Sequence, residues 1–209
     1  FINTAHDIRT PLTLIKAPLE EIQQKENLSE ESQANMLTAM KNVDTLIRLT
    51  TTLIHFSKAN VYSSSLRISE HELNTYMEGI YHAFYSYAEA KQIKLDYKSN
   101  FEYQNVWFDK EKMDSITKNL ISNAIKYTPA HGEVHIIICH DKDNWSLEIT
   151  DTGIGIPAKE QKKLFKLHFR GSNAINAKIT GSGIGLMLVW KLVRIHKGKI
   201  SIESVENKG

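Results

Sequence analysis

The chain has 209 residues, 41% of them hydrophobic and 24% charged, with a formal net charge of +2, the make-up of an ordinary soluble globular protein. So neutral a balance gives no support for nucleic-acid binding or a polybasic membrane role. A single cysteine, Cys139, excludes an internal disulfide and points to a reducing compartment.

From Ile8 the apolar residues recur as Ile8, Leu12, Ile15, Leu19 and Ile22. After a polar break around residues 27–32 they resume at Met36, Met40, Val43, Ile47, Thr50 and Ile54. This rhythm predicts two amphipathic helices in an antiparallel hairpin. Leu37, Leu46 and Leu53 widen the second stripe beyond what one partner helix covers. A lone hairpin rarely buries enough surface to be stable, so the expectation is a homodimer in which two hairpins form a four-helix bundle. Pro11 should kink the first helix near His6, whose ring falls beside the seam and should face solvent. The start inside a helical pattern suggests a piece of something longer.

Residues 60–66 turn polar and serine-rich, a linker signal. A strand at 66–68, a helix at 72–91, strands at 93–97 and 105–108 and a helix at 110–127 are predicted next. A hairpin at 133–140 and 145–151 follows, turning about residues 142–144. A helix at 184–196 and a strand at 199–205 close the chain. Strands mixed with packed helices imply an α+β sandwich. The run 134–139 is the longest strongly apolar stretch and is far too short to span a bilayer; no signal peptide is visible.

Three segments carry chemistry. His6 is followed by Asp7, which could orient the imidazole or take up its proton, and Thr10, one turn on, offers a hydroxyl suited to holding water. On the helix at 110–127, Met113, Ile116, Leu120, Ala124 and Tyr127 form an apolar face, and Asn119, Asn123 and Lys126 a polar line beside it. Asparagine is a poor helix former, but its amide oxygen can ligate Mg²⁺ and lysine can meet phosphate. Gly153, Gly155, Gly171, Gly181, Gly183 and Gly185 punctuate the third segment. The last three precede a helix whose free N–H groups suit a phosphate, and Asp151, ending a strand, could accept from an exocyclic amine such as that of adenine. The remaining histidines lack metal-ligand spacing and read as structural or surface residues; His168, in the lid-like segment, is the one to watch.

These residues resemble the cytoplasmic core of sensor histidine kinases of two-component systems, with the H, N, G1, F and G2 boxes of that family in order. His6-Asp7-Ile8-Arg9-Thr10-Pro11 is similar to the H box. The resemblance makes His6 the phosphoacceptor, Asp7 the acidic helper and Thr10 the residue positioning water for dephosphorylation of a partner regulator. It makes Asn123 the Mg²⁺ ligand, with Asn119, Lys126 and Tyr127 lining the nucleotide. Asp151 would read adenine, and Gly153 and Gly155 would shape that end of the pocket. Phe165, in an F-box-like run from Leu164 to Arg170, would anchor the lid. Arg170 would reach the γ-phosphate, and Gly181, Gly183, Gly185 and Leu186 would cradle the phosphates. Asp7 stands where glutamate is commoner, and Leu167-His168 replaces a basic-aromatic pattern. The run from Ala5 to Ile22 looks most like hybrid two-component sensors.

What the resemblance implies is an α+β protein. Residues 1–62 would be a dimerisation and phosphotransfer hairpin forming a dimeric four-helix bundle. Residues 63–209 would be an α/β-sandwich ATP-binding domain of the histidine kinase, gyrase and heat-shock chaperone type. The activity implied is ATP- and Mg²⁺-dependent autophosphorylation of His6, phosphotransfer to an aspartate of a response-regulator receiver domain, and phosphatase activity toward that regulator. The segment would be the cytoplasmic portion of an inner-membrane sensor, itself contacting neither membrane nor nucleic acid. The competing readings are an ATP-gated clamp, which lacks a preceding hairpin with His-Asp-x-x-Thr-Pro, and a non-catalytic dimeric scaffold, which would not need every catalytic position filled.

Overall fold

The structure, a computed structural model, describes residues 14–16, 18–20, 22, 29–61, 65–141, 144–166, 169, 171–177, 179 and 183–209, without the side chains of 47–49 and 51–61. His6, Asp7, Thr10 and the Pro11 kink lie outside the described residues, as do His168, Arg170 and Gly181. The chain divides into two compact units, Phe1–Val61 and Tyr62–Gly209.

In the first unit, helical residues at 14–16, 18–20 and 22 precede α1, Glu30–Val61. α1 starts inside the expected polar break. Ser29 explains this: its Oγ accepts the Ser32 N–H at 3.3 Å, supplying an N-terminal cap, and Glu30 and Glu31 suit the positive end of the helix. Lys16 Nζ reaches Asp44 Oδ1 at 2.8 Å, tying the two helices together. Val43 is buried, whereas Leu14, Ile15, Leu37 and Leu46 are each about half exposed or more.

The second unit contains β1 (Ser69–Glu72), α2 (Leu73–Ala90), β2 (Lys94–Ser99), β3 (Asn105–Phe108), α3 (Lys110–Tyr127), β4 (Glu133–Asp141) and β5 (Asn144–Asp151). It closes with α4 (Ala158–Gln161), α5 (Ser172–Asn176) and α6 (Gly185–Ile195). β1 and β3 form an antiparallel pair; the other three strands are ordered β2-β4-β5, parallel then antiparallel. β4 alternates strictly, with Val134, Ile136 and Ile138 at 0% exposure. Each such side chain contributes about 1.5–3 kcal/mol of burial. Met77 and Ile80 of α2, Ile121 and Ile125 of α3, and Leu188 and Leu192 of α6 are buried as well.

Three expectations change in detail. The strand placed at 66–68 begins at Ser69, because the Arg67 N–H goes to the Asp109 carboxylate (2.9 Å) instead of to a ladder. The apolar face of α3 includes Ile121 and Ile125, fully buried, while Leu120 and Tyr127 are only half-buried. Residues 199–205 form no strand. They keep the period-two alternation, with Ile200, Ile202 and Ser204 half-buried, but find no ladder partner among the described residues.

Candidate nucleotide site

α3 begins sharply because Asp109 caps it, its Oδ1 accepting the Lys112 N–H at 3.1 Å. From that start, Asn119, Asn123 and Lys126 follow at helical offsets along one edge, all half-buried. The Asn119 amide donates back to the Ser115 carbonyl at 2.7 Å. The Asn123 amide makes no hydrogen bond to protein among the described residues, so a half-buried polar group is left open to a ligand. Lys126 Nζ lies 5.1 Å from the centre of the Tyr127 ring.

β5 supplies the next group. Trp145, Leu147, Ile149 and Asp151 alternate toward the helices, so the carboxylate of Asp151 ends a row of apolar inward positions. Burial pushes its pKa above the ordinary aspartate value, partly offset by the Gly153 N–H donated to Oδ1 at 2.9 Å. The C-terminal end of α3 meets the same loop, the Tyr127 carbonyl accepting the Ile154 N–H at 3.2 Å. Gly153 fits only without a side chain: a Cβ there would lie 2.5 Å from Asp151 Oδ1 and 2.7 Å from the Tyr127 carbonyl.

α6 completes the site. Its N-terminus carries no side-chain cap among the described residues, and the first N–H groups of such a helix suit an anion. A Cβ on Gly185 would meet Asn119 Oδ1 at 2.7 Å and Asn123 Nδ2 at 3.8 Å. Glycine at this position therefore lets the uncapped helix end lie directly against the two asparagines. Gly183 adopts a φ of 71° on the approach, and Leu186 is half-buried. The structure thus brings Asn119, Asn123, Asp151, Gly153 and Gly185 onto neighbouring elements. Phe165 sits half-buried in the turn after α4, while its neighbour Leu164 is the buried residue.

Two positions that sequence reasoning missed brace this region. Asn173 on α5 donates to the carbonyls of Gly155 (2.8 Å) and Ile154 (3.2 Å), and Gln161 on α4 donates to those of Ser204 (2.7 Å) and Ile156 (3.1 Å). Neither lies in a periodic pattern that could have flagged it. Gly155 itself has a φ of 58°, and a Cβ would lie 2.1 Å from the Val205 carbonyl oxygen. Gly155→Ala is expected to cost about 3 kcal/mol from left-handed strain plus the clash, read as a lower urea midpoint.

Elsewhere, register pairing of β2 with β4 gathers Asp96, Glu133 and His135 on the outer face of the sheet. His135 reaches Asp96 at 3.2 Å and Glu133 at 3.1 Å through opposite ring nitrogens. Lys94 Nζ lies 3.0 Å from Asp96 and 3.7 Å from Glu133, already meeting the carboxylates with a cation. Two cavities of about 400 and 260 Å³ lie along β2 and share no residue with the nucleotide site.

Comparison with known proteins gives the family. Residues 3–60 match the His Kinase A (phospho-acceptor) domain. Residues 108–209 match the histidine kinase-, DNA gyrase B-, and HSP90-like ATPase domain. "Histidine kinase P4" of Formosa agariphila is 30% identical over 100% of this chain and 16% of its own length. The fold is shared with full-length ShkA, solved in complex with AMPPNP (TM-score 0.68, 19% identity, 98% of this chain and 42% of that one). It is also shared with the histidine kinase ThkA, solved in complex with response regulator protein TrrA (TM-score 0.55, 22% identity, 85% and 52%). A phospho-acceptor hairpin followed by an ATPase-type sandwich defines a protein-histidine kinase core. The chain belongs to the sensor histidine kinases and spans a small part of the P4 relative.

Proposed function

We propose that this core transfers the γ-phosphoryl group of ATP to His6 and passes it to an aspartate of a response-regulator receiver domain. The observation that carries the reading is the meeting of an uncapped helix end at Gly185 with the amide of Asn123, which has no hydrogen-bond partner among the described residues. An imidazole nitrogen of His6 forms the new N–P bond as the bond from phosphorus to the β–γ bridging oxygen breaks, and ADP leaves. Asp7 orients the ring or takes its proton. Asp151 accepts from the adenine amine, with Asn119, Tyr127, Phe165 and Leu186 lining the nucleotide. Gly153 and Gly155 shape the base end, and Gly181, Gly183 and Gly185 admit the phosphates. Lys126 and Arg170 offset charge on the transferring group.

Mg²⁺ fits the donor set: an amide oxygen beside a phosphate site is a hard oxygen ligand, and Asn123 would hold the ion, which supplies further neutralisation. Thr10 positions water for dephosphorylating the regulator. Residues 1–62 act as the hairpin and 63–209 as the ATP-binding domain. The exposed Leu14, Ile15, Leu37 and Leu46 support a homodimer, since a second hairpin would cover them. No described helix is long and apolar enough to cross a membrane, and we place the segment on the cytoplasmic side of a membrane sensor of hybrid type. The regulator in the ThkA complex supports the receiver as partner. The test is a chase: protein labelled from γ-labelled ATP is mixed with a receiver domain carried in the same parent chain. Label should move to the receiver within minutes; label that stays on the kinase with every receiver tried contradicts the phosphotransfer.

A further inference from the structure

Asp109 and Lys112 do more than start a helix. Asp109 is 2% exposed and Lys112 5%. Asp109 Oδ2 accepts both from Lys112 Nζ at 2.6 Å and from the backbone N–H of Arg67 at 2.9 Å. Lys112 Nζ donates in addition to the Ser65 carbonyl at 3.0 Å. Among the described residues, the backbone of 65–68 makes no other hydrogen bond, and its first ladder pairing comes at Ser69 with Phe108. The Asp109 N–H in turn donates to His196 Nε2 at 3.3 Å, and His196 Nδ1 donates to the Leu192 carbonyl at 2.8 Å. One carboxylate therefore sits where the incoming chain, the start of α3 and the end of α6 meet. The opposite parts of those two helices carry Asn123 and Gly185.

A cap alone would need the carboxylate but not a buried lysine, and a buried ion pair is weak evidence for stability, since apolar residues often do as well. Among the described residues, the pair makes the hydrogen bonds that fix the backbone of this segment. We propose that Asp109 and Lys112 form a latch on the chain joining the two units, and so act as positioning residues for transfer to His6. This rests on the reading given under Proposed function. With the latch closed, the ATP-binding unit grips the chain from Ser65; with it open, the first fixed residue is Ser69. The difference adds about 13 Å of reach, and lengthening a tether dilutes the groups it joins.

Arg67→Pro removes the donated N–H and leaves the buried pair and α3 untouched, while Arg67→Ala keeps that N–H. In the nucleotide-free wild type, the Arg67 amide should exchange with deuterium about 100-fold slower than an unprotected amide. In Arg67→Pro, the NMR order parameters of the backbone amides of residues 66 and 68 should fall, ATP affinity should stay within twofold, and the rate of His6 labelling should fall about fivefold. Arg67→Ala should match the wild type throughout. An unprotected Arg67 amide in the wild type overturns the latch. So does Arg67→Pro that labels at the wild-type rate with those order parameters lowered, or that loses ATP affinity in step with rate. A wild type that takes up no label at His6 counts against the kinase reading, and with it the positioning role, while the exchange data still judge the latch itself.

Discussion

Asp151→Asn is expected to weaken ATP binding about 100-fold while leaving the melting temperature no lower than that of the wild type. The carboxylate sits at the inward end of β5 with the Gly153 N–H as a hydrogen-bond donor and no ion-pair partner among the described residues. Burial raises its pKa, so ionising it costs the folded state more than the unfolded chain. For an acid shifted upward, stability is highest below the ordinary aspartate pKa and declines as pH rises toward the folded value. Asparagine removes that cost and its oxygen can still accept from Gly153. It cannot replace a charged acceptor facing an amine, a loss of about 2–3 kcal/mol. Titration with a fluorescent nucleotide and calorimetry on the same samples check both halves. The stability advantage of the asparagine protein should vanish near pH 3. A variant that melts earlier but binds ATP normally would make Asp151 a structural residue.

Asn123→Ala is expected to reduce autophosphorylation at least 100-fold and to raise the melting temperature slightly. Alanine is the better helix former by about 0.5 kcal/mol, and the Asn123 amide has no protein partner to lose among the described residues. What disappears is the proposed metal ligand, and with it several kcal/mol of charge neutralisation in the transition state. Chelating Mg²⁺ should weaken ATP binding to the wild type and leave binding to Asn123→Ala unchanged. If chelation weakens both equally, Asn123 is not the ligand. A helix that keeps two poor formers one turn apart does so at a cost in stability, and the proposed ligand would supply the reason.

Local rules carried much of the fold. α3 was readable to the residue because Asp109 caps it and Pro129 follows its end. β4 was readable as a short apolar run, and β5 because one face is buried and apolar residues alternate along it. The candidate nucleotide site stood out for a related reason: Asn119, Asn123 and the glycines break local propensity, and such violations concentrate at functional sites. The unread parts depend on partners distant in sequence. Residues 199–205 alternate like a strand, yet alternation reports burial and not a hydrogen-bonded neighbour. The strand expected at 66–68 starts later because a carboxylate more than forty residues away takes the Arg67 N–H. Asn173, and the cluster of Asp96, Glu133 and His135, become visible only once tertiary contacts and strand register are fixed.

The central claim is transfer of phosphorus from ATP to one imidazole, and the chemistry of the product tests it most directly. Protein incubated with γ-labelled ATP and Mg²⁺ should acquire a phosphoryl group that survives alkali and is lost in acid, mapped by tandem mass spectrometry at neutral pH to His6. His6→Gln, folded and binding ATP normally, should acquire none. Label of equal amount in His6→Gln, or an acid-stable phosphate mapped to a hydroxyl, would contradict the account.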